Sequence, residues 1–521
     1  MASFKAKEAA ARGKVILSRD TPSESADQFR ALKRPHIISH QEEWLDYRAG
    51  AYRTVEDATI GAEIKSFAEA AFTISIEIEV DARGKERKRF TADPFNPKPR
   101  DIESIVTMLR HSVHKPRDTM APPCFLDGGT GEYAGLDPLN LISFQNGILD
   151  INSREKYAPT PQFFTLNALP IDYDPSAPEP YDWYKFLKQV TNSRTELVDL
   201  IQERMGYIIS ADMKQQRVFF LQGPPRSGKG TLMNVTEALV GSQNTASASI
   251  KDLATNFGRQ SMIGMRYEKV TDMDTNDPQA LSSAANFINA VSGLDTVEIQ
   301  RKFIDAWKGK LRLVIEMASN NLPDFGSHTP AMAARLIIIP FDVSFLGRED
   351  RELDVKLCAE LPGIVNWALD GLDRLRERGK FVEPRACLDI KRTLLNQSNP
   401  LAGFIVDWCK QSPKSSIDKQ TLFAEFSKYV SEVDGKGLTY SVFCKKLTEG
   451  YPTIRTAKPR RGGDRAHLFV GIRLTDERMM QTYEADADLV ELGFGLDALK
   501  RDAGGALIPK TSGADEFGAG A

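Results

Sequence analysis

Lys229 stands where a chain handles phosphate. It lies in VFFLQGPPRSGKGTLMNVTEAL, residues 218–239, where an apolar run meets a glycine-rich turn and then an amphipathic helical pattern. Glycines let backbone N–H groups curl around an anion without Cβ clashes, and the following helix adds the partial positive charge of its N-terminus. Gly223, Pro224, Pro225, Arg226, Ser227, Gly228, Lys229, Gly230 and Thr231 are therefore the expected nucleotide-binding segment. Lys229 would reach the β- and γ-phosphates. A Ser or Thr usually follows that lysine and ligates Mg²⁺. Here Gly230 holds the place and Thr231 comes next, touching phosphate, or the metal through water. ATP and Mg²⁺ are the expected ligands.

Hydrolysis needs more than a phosphate cradle: an acid to order the metal, an activated water, and a cation for the transition state. TDMD offers Asp272 and Asp274, alternate residues that share one face at a strand end. Asp272 is assigned to Mg²⁺ and Asp274 to polarising water, two roles that can be exchanged. LRLVIEMASNN is an apolar strand ending at Asn320, a position from which an amide can orient the lytic water. PAMAARLIIIPF sets Arg335 at the start of a further strand, as a salt-bridged surface residue or as a finger into a neighbouring subunit's nucleotide. Each signal is weak alone; their order between 229 and 335 carries the weight.

The elements that must hold these residues alternate. After mixed helical and strand patterns from about His40 to Tyr173, strands and helices alternate to about residue 345, which predicts a parallel α/β core. EEWLDYRAGAYRTV reads as strands around a turn, LISFQNGILDINS as a hairpin, and ATIGAEIKSFAEAAF, DIESIVTMLRHSV, WYKFLKQV and ELVDLIQERMGYIIS as helices. With 521 residues, 41% hydrophobic and 27% charged, the chain is an ordinary globular composition of several domains. A net charge of −3 leaves no global basic field, so a nucleic-acid site would have to be local. Five scattered cysteines without a CxxC pair argue for reduced thiols and against a zinc ribbon. No apolar run approaches a membrane span and the first twenty residues lack a hydrophobic signal core, so a cytoplasmic location is expected. His111 and His114 read as a surface pair, His328 as a loop residue, and Trp307 and Phe345 as packing.

GPPRSGKGT, TDMD, NAVSGLDTVEIQRKF, ASNNLP and AARLIIIPF together resemble the superfamily 3 helicases, and more narrowly the helicase half of phage and plasmid primase–helicases and their poxvirus relatives. FQNGILDINS, ALPIDYDPSAP and ERMGYIISAD look like the domain that precedes the helicase there. The resemblance implies an AAA+ core with parallel sheet, preceded by a mixed α+β domain and followed by a helical segment and a winged-helix domain. It also implies a homo-hexamer that translocates on single-stranded DNA, 3′→5′, hydrolysing ATP at subunit interfaces. Lys229 matches the phosphate-loop lysine, Asp272 and Asp274 the acidic pair, Asn320 the sensor and Arg335 the finger. GLDTVEIQRKF matches a hairpin that projects into the ring's channel, where Arg301 and Lys302 would grip phosphates and Phe303 pack on sugar or base. Where the family has an arginine pair, this chain has Ala334-Arg335, and Asn289 stands where a lysine is usual. No acidic-pair-plus-histidine polymerase site precedes the core, so a separately encoded primase is the expected partner.

The boundaries expected are a disordered 1–25, an α+β domain 26–190, the ATPase core 191–345, a helical connector 346–400, a winged-helix domain 401–475, and a mostly disordered tail 476–521. In the winged-helix segment Lys445 and Lys446 fall on the presumed recognition helix, with Arg455, Lys458, Arg460, Arg461 and Arg465 on or near the wing. Such a cluster suits DNA phosphates, including an origin duplex. Two other readings stay open. GKGT also occurs in nucleoside monophosphate kinases, and a nucleotide-dependent initiator can bind DNA without unwinding it.

Overall fold

The computed structural model describes residues 13–80, 86–117, 121–271, 273, 277–302, 304–323, 325, 329–398, 400–433, 437–457, 460–461, 464–465, 467–475, 499–501 and 507–509. Two units divide the chain, Met1–Leu394 and Leu395–Ala521.

The first unit begins with α1 (Pro22–Lys33), β1 (Ile38–His40), β2 (Glu43–Arg48), β3 (Ala51–Val55), α2 (Asp57–Glu69), β4 (Phe72–Val80), β5 (Glu86–Pro94), α3 (Pro99–Ser112) and β6 (His114–Lys115). Strands order β3-β2-β1-β6, while β4 and β5 form their own antiparallel hairpin. Apolar residues at helical spacing on α2 (Ile60, Ile64, Phe67) and α3 (Ile105, Leu109) meet Phe29 and Trp44 in one cluster. Leu17 is 1% exposed in that cluster and Ile16 pairs with Phe72, so residues 13–25 are structured, contrary to the disorder expected of 1–25. A buried leucine outweighs the polar composition around it. Short strands follow: β7 (Cys124–Phe125), β8 (Leu141–Phe144), β9 (Gly147–Asp150), β10 (Lys156–Tyr157) and β11 (Phe163–Phe164), with β8 and β9 forming the expected hairpin.

Helices α4 (Tyr181–Val190) and α5 (Thr195–Ile209) lead into the central sheet. Its parts are β12 (Val218–Gln222), α6 (Lys229–Val240), β13 (Thr245–Ser247), α7 (Ile250–Ala254), β14 (Tyr267–Val270), α8 (Pro278–Ser292), the antiparallel pair β15 (Val297–Arg301) and β16 (Ile304–Gly309), β17 (Val314–Ser319), α9 (Thr329–Arg335) and β18 (Leu336–Pro340). The five sheet strands are parallel, in order β13-β14-β17-β12-β18. Both faces are buried, which explains why β12 and β18 read as unbroken apolar runs. Phe219, Leu221, Ile337 and Ile339 face α4, α5 and α6; Val218, Phe220, Leu336 and Ile338 face α7 and α8.

After β18 come α10 (Leu353–Ala359), α11 (Leu361–Arg378) and α12 (Arg385–Ser398). Ile364, Ala368, Leu372 and Leu375 of α11 share the cluster of Phe219, as do Ile142, Phe144 and Trp183. The boundaries expected near residues 190 and 345 therefore do not separate independent cores, whereas the one expected near 400 lies close to the division between the two units. One core runs through the first two, because the helical face of α11 finds its apolar partner on α5 and the sheet.

The sheet buries two carboxylates. Glu316 on β17 forms an ion pair with Arg204 of α5, both side chains 0% exposed. Arg204 Nε lies 2.6 Å from Glu316 Oε1 and its Nη1 3.1 Å from Thr236 Oγ1 on α6, while the Tyr267 hydroxyl donates to Glu316. This network ties α6 to β17, the strand that leads to Asn320. On the other face of β14, Glu268 is fully buried and neither oxygen finds a well-formed hydrogen bond among the described residues. Burial pushes its carboxyl up to about 8; the Ala248 backbone only partly offsets this.

The second unit holds α13 (Pro400–Trp408), β19 (Cys409–Asp418), α14 (Lys419–Glu432), α15 (Tyr440–Gly450), β20 (Arg455–Ala457), β21 (Arg460–Arg461), β22 (Asp464–Arg465) and β23 (Leu468–Leu474). An antiparallel sheet β19-β23-β20 backs α14 and α15, and Phe404, Phe426, Phe443 and Phe469 fill the space between. Of the tail, Leu499–Arg501 pairs with Leu507–Pro509, and the rest of 476–521 lies outside the described residues.

Candidate nucleotide site

The loop Gly223–Gly228 joins the end of β12 to α6, so the helix begins at Lys229 with its amides open toward the loop. Its two outer glycines are required by space. A Cβ on Gly223 would lie 2.1 Å from the Phe341 carbonyl oxygen, and one on Gly228 (φ +94°) 2.6 Å from Val190 Cγ1. Gly230 is different: a Cβ there meets nothing within 4 Å. The loop's back is latched to the chain after β18, for Ser344 Oγ donates to Pro225 O (3.0 Å) and Phe345 N to Arg226 O (2.8 Å). That latch holds Arg226 at φ +56°.

Lys229 Nζ lies 2.6 Å from Gly223 O, 2.8 Å from Pro224 O, 3.3 Å from Ser227 Oγ and 3.1 Å from Asn320 Oδ1. Two sequence-predicted residues, one opening α6 and the other just past β17, thus meet at one point. Partial burial lowers the Lys229 ammonium from its ordinary value. Thr231 and Asn320 line the same cavity of about 810 Å³, on the scale of a nucleotide. Sequence reasoning missed much of its wall. Asp182, Lys185, Phe186, Gln189 and Val190 line it from one face of α4, and Phe345, Arg348 and Leu353 line it opposite. The i, i+3, i+4, i+7, i+8 spacing on α4 was visible, but nothing in it marked a ligand. Phe345, expected only to pack, both packs and lines the cavity.

Arg335 lies elsewhere. β12 and β18 run in register from Val218↔Leu336 to Gln222↔Pro340, and the phosphate loop leaves their far end. Arg335 precedes Leu336, so about 20 Å of strand separates it from the loop of its own subunit. Its guanidinium sits against Gly293 at the end of α8, where a Cβ would lie 3.3 Å from Nη2. Asp272 and Asp274 lie outside the described residues, as do Phe303, Lys458 and His328. Among the described residues no cluster of three His, Cys, Asp or Glu could hold a metal.

The DNA-binding expectations divide. Lys302 is exposed in the turn between β15 and β16. Arg301, by contrast, is turned inward: its side chain is 3% exposed, pairs with Glu43 Oε1 at 3.0 Å and donates from Nε to Asp305 O at 2.8 Å. A partner 258 residues away is invisible to a local motif. In the second unit Lys445 and Lys446 are exposed on α15, and Lys445 lies 3.9 Å from Glu449. Arg455 is exposed on β20; Arg460 pairs in register with Arg465, and Arg461 with Asp464.

Residues 221–334 match a family of unknown function (DUF5906), and residues 136–192 match the D5 N terminal like family. Two solved apo structures of the NrS-1 C-terminal region are similar to this chain. One shares 11% identity over 85% of this chain and 98% of that one, with a TM-score of 0.47. The other shares 12% over 86% and 99%, with a TM-score of 0.48. No helix among the described residues is long and apolar enough to cross a membrane.

Proposed function

We propose that this chain is an ATP-driven DNA helicase of phage, prophage or plasmid replication, built on an AAA+ core and acting as a homo-hexameric ring. The observation that carries the reading is the meeting of Lys229 and Asn320 at the mouth of a glycine-walled loop, with Arg335 at the opposite end of the same sheet. A cation that cannot reach its own subunit's loop suits a seam between subunits, where it would stabilise transition-state charge on a neighbour's nucleotide. The strand order β13-β14-β17-β12-β18 agrees with the AAA+ arrangement the sequence resembles. The match over residues 136–192 falls on the segment that resembles the domain preceding the helicase.

In this scheme the Lys229 ammonium exchanges its loop carbonyls for β- and γ-phosphate oxygens, and Asn320 orients the attacking water. Thr231 and Asp272 or Asp274 would hold Mg²⁺, which when bound would neutralise charge at the phosphates. Lys302 at the hairpin turn, and the winged-helix residues Lys445, Lys446 and Arg455, contact single-stranded and origin DNA through phosphate. The primase is a separate protein.

The test is DNA-stimulated ATPase together with unwinding. Lys229→Ala should abolish both, and Lys302→Ala should spare basal hydrolysis while losing unwinding. Retained unwinding in either variant refutes the scheme. Nucleotide-dependent hexamers that never separate strands would instead favour the initiator reading.

A further inference from the structure

Arg335 has a neighbour across the sheet. Val218 and Leu336 are register partners, so Arg217 and Arg335, each one residue earlier, flank each other at the entry of two adjacent parallel strands. Arg217 Nη1 donates to the carbonyl of Ala334, the residue that stands where the resembled family has its other arginine. Among the described residues each guanidinium keeps one buried nitrogen without a partner, Nε on Arg217 and Nη1 on Arg335. Neither arginine forms an ion pair among the described residues. Gln216 Nε2 completes the edge by donating to Gly293 O at 3.3 Å, beside the Arg335 head. Two guanidiniums at neighbouring strand entries, neither matched by a carboxylate, suit an anion that takes hydrogen bonds from both. Arginine forks favour phosphate oxygens.

We infer that Arg217 supplies, from the strand that leads to the phosphate loop, the second cation lost at position 334. With Arg335 it forms a two-guanidinium pad for the terminal phosphate of a nucleotide held by a neighbouring copy. The inference rests on the helicase reading above. It places the pad about 20 Å of strand from its own loop, so both arginines work across the seam. The pairing arises between strands instead of between consecutive residues, which is why a linear motif shows one finger.

The experiment uses the full chain with DNA present and compares Arg217→Ala, Arg217→Gln and Arg335→Ala. Arg217→Ala should lower kcat at least about tenfold, given that such cations contribute far more in related chemistry. Affinity for a non-hydrolysable ATP analogue should stay within about twofold of wild type, since the nucleotide's own loop is intact. Arg217→Gln keeps a donor for the Ala334 carbonyl without the charge; if Arg217 only braces the strand, this variant hydrolyses normally and the inference falls. Mixing Lys229→Ala with Arg217→Ala subunits should restore hydrolysis, because the first lends its Arg217 to the second's intact loop. No recovery on mixing overturns the seam assignment of Arg217. Should Arg217→Ala lose DNA affinity while hydrolysing at the wild-type rate, the phosphate in question is DNA's and the inference is wrong. An inactive Arg335→Ala beside a fully active Arg217→Ala removes the inference and leaves the helicase reading standing; a fully active Arg335→Ala removes the reading itself.

Discussion

Glu268 offers a measurement that depends on no ligand. In an unfolded chain its carboxyl titrates near 4.5, whereas burial in the fold moves it to about 8. Between those values the folded protein holds a proton that the unfolded chain has released. Stability therefore falls as pH rises through this window and levels off above about 8, by about 1.4 kcal/mol per unit. Glu268→Gln cannot ionise and lacks that slope. Its stability relative to wild type should grow by about 3 kcal/mol between pH 5 and pH 7. Urea denaturation followed by tryptophan fluorescence at half-unit steps from pH 5 to pH 9 reads this directly, since Trp44, Trp183, Trp307 and Trp367 all lie in the first unit. Parallel curves for the two proteins across the window would show that Glu268 titrates as an ordinary solvated acid and that the reasoning from its burial is wrong.

Other outcomes follow from contacts at the loop and the hairpin. Gly228→Ala forces a side chain into φ +94° and against Val190, so it should cost at least about 1–2 kcal/mol locally and abolish nucleotide binding in a calorimetric titration while the overall fold persists by circular dichroism. Gly230→Ser enters open space and restores a hydroxyl one residue past the lysine; the Mg²⁺ concentration for half-maximal ATPase should drop several-fold with no loss of melting temperature. Arg301→Ala breaks its pair with Glu43 and should lower stability by about 1–3 kcal/mol in thermal melts, whereas Lys302→Ala leaves the melt unchanged and weakens single-stranded DNA in a salt-dependent binding assay.

What the sequence reveals here is local order. The phosphate loop combines an apolar strand, obligatory glycines and an amphipathic helix within twenty-two residues, so every part of the signal is contiguous. Asn320 was legible because a strand ends at it, and its meeting with Lys229 follows from strand adjacency. The α4 wall of the cavity was not legible, since Phe186 and Val190 read equally well as core. The β4–β5 hairpin was overlooked although FTISIEIEV alternates at period two, a pattern that needed only to be counted. The inward turn of Arg301 was not legible, because a basic residue in a hairpin motif gives no sign of a carboxylate 258 residues away. Arg217 was silent for the converse reason: its partner is one strand away in space and over a hundred residues away along the chain.

The Arg301–Glu43 bridge also bears on how the proposed helicase would move. Glu43 opens β2, so the hairpin formed by β15 and β16 is bolted to the amino-terminal sheet as well as to its own core. A stroke of the hairpin must either carry that sheet along or break a pair whose arginine is shut away from water. In that reading the amino-terminal layer is geared to the lever, and its mass and bracing would set how far and how freely the lever swings.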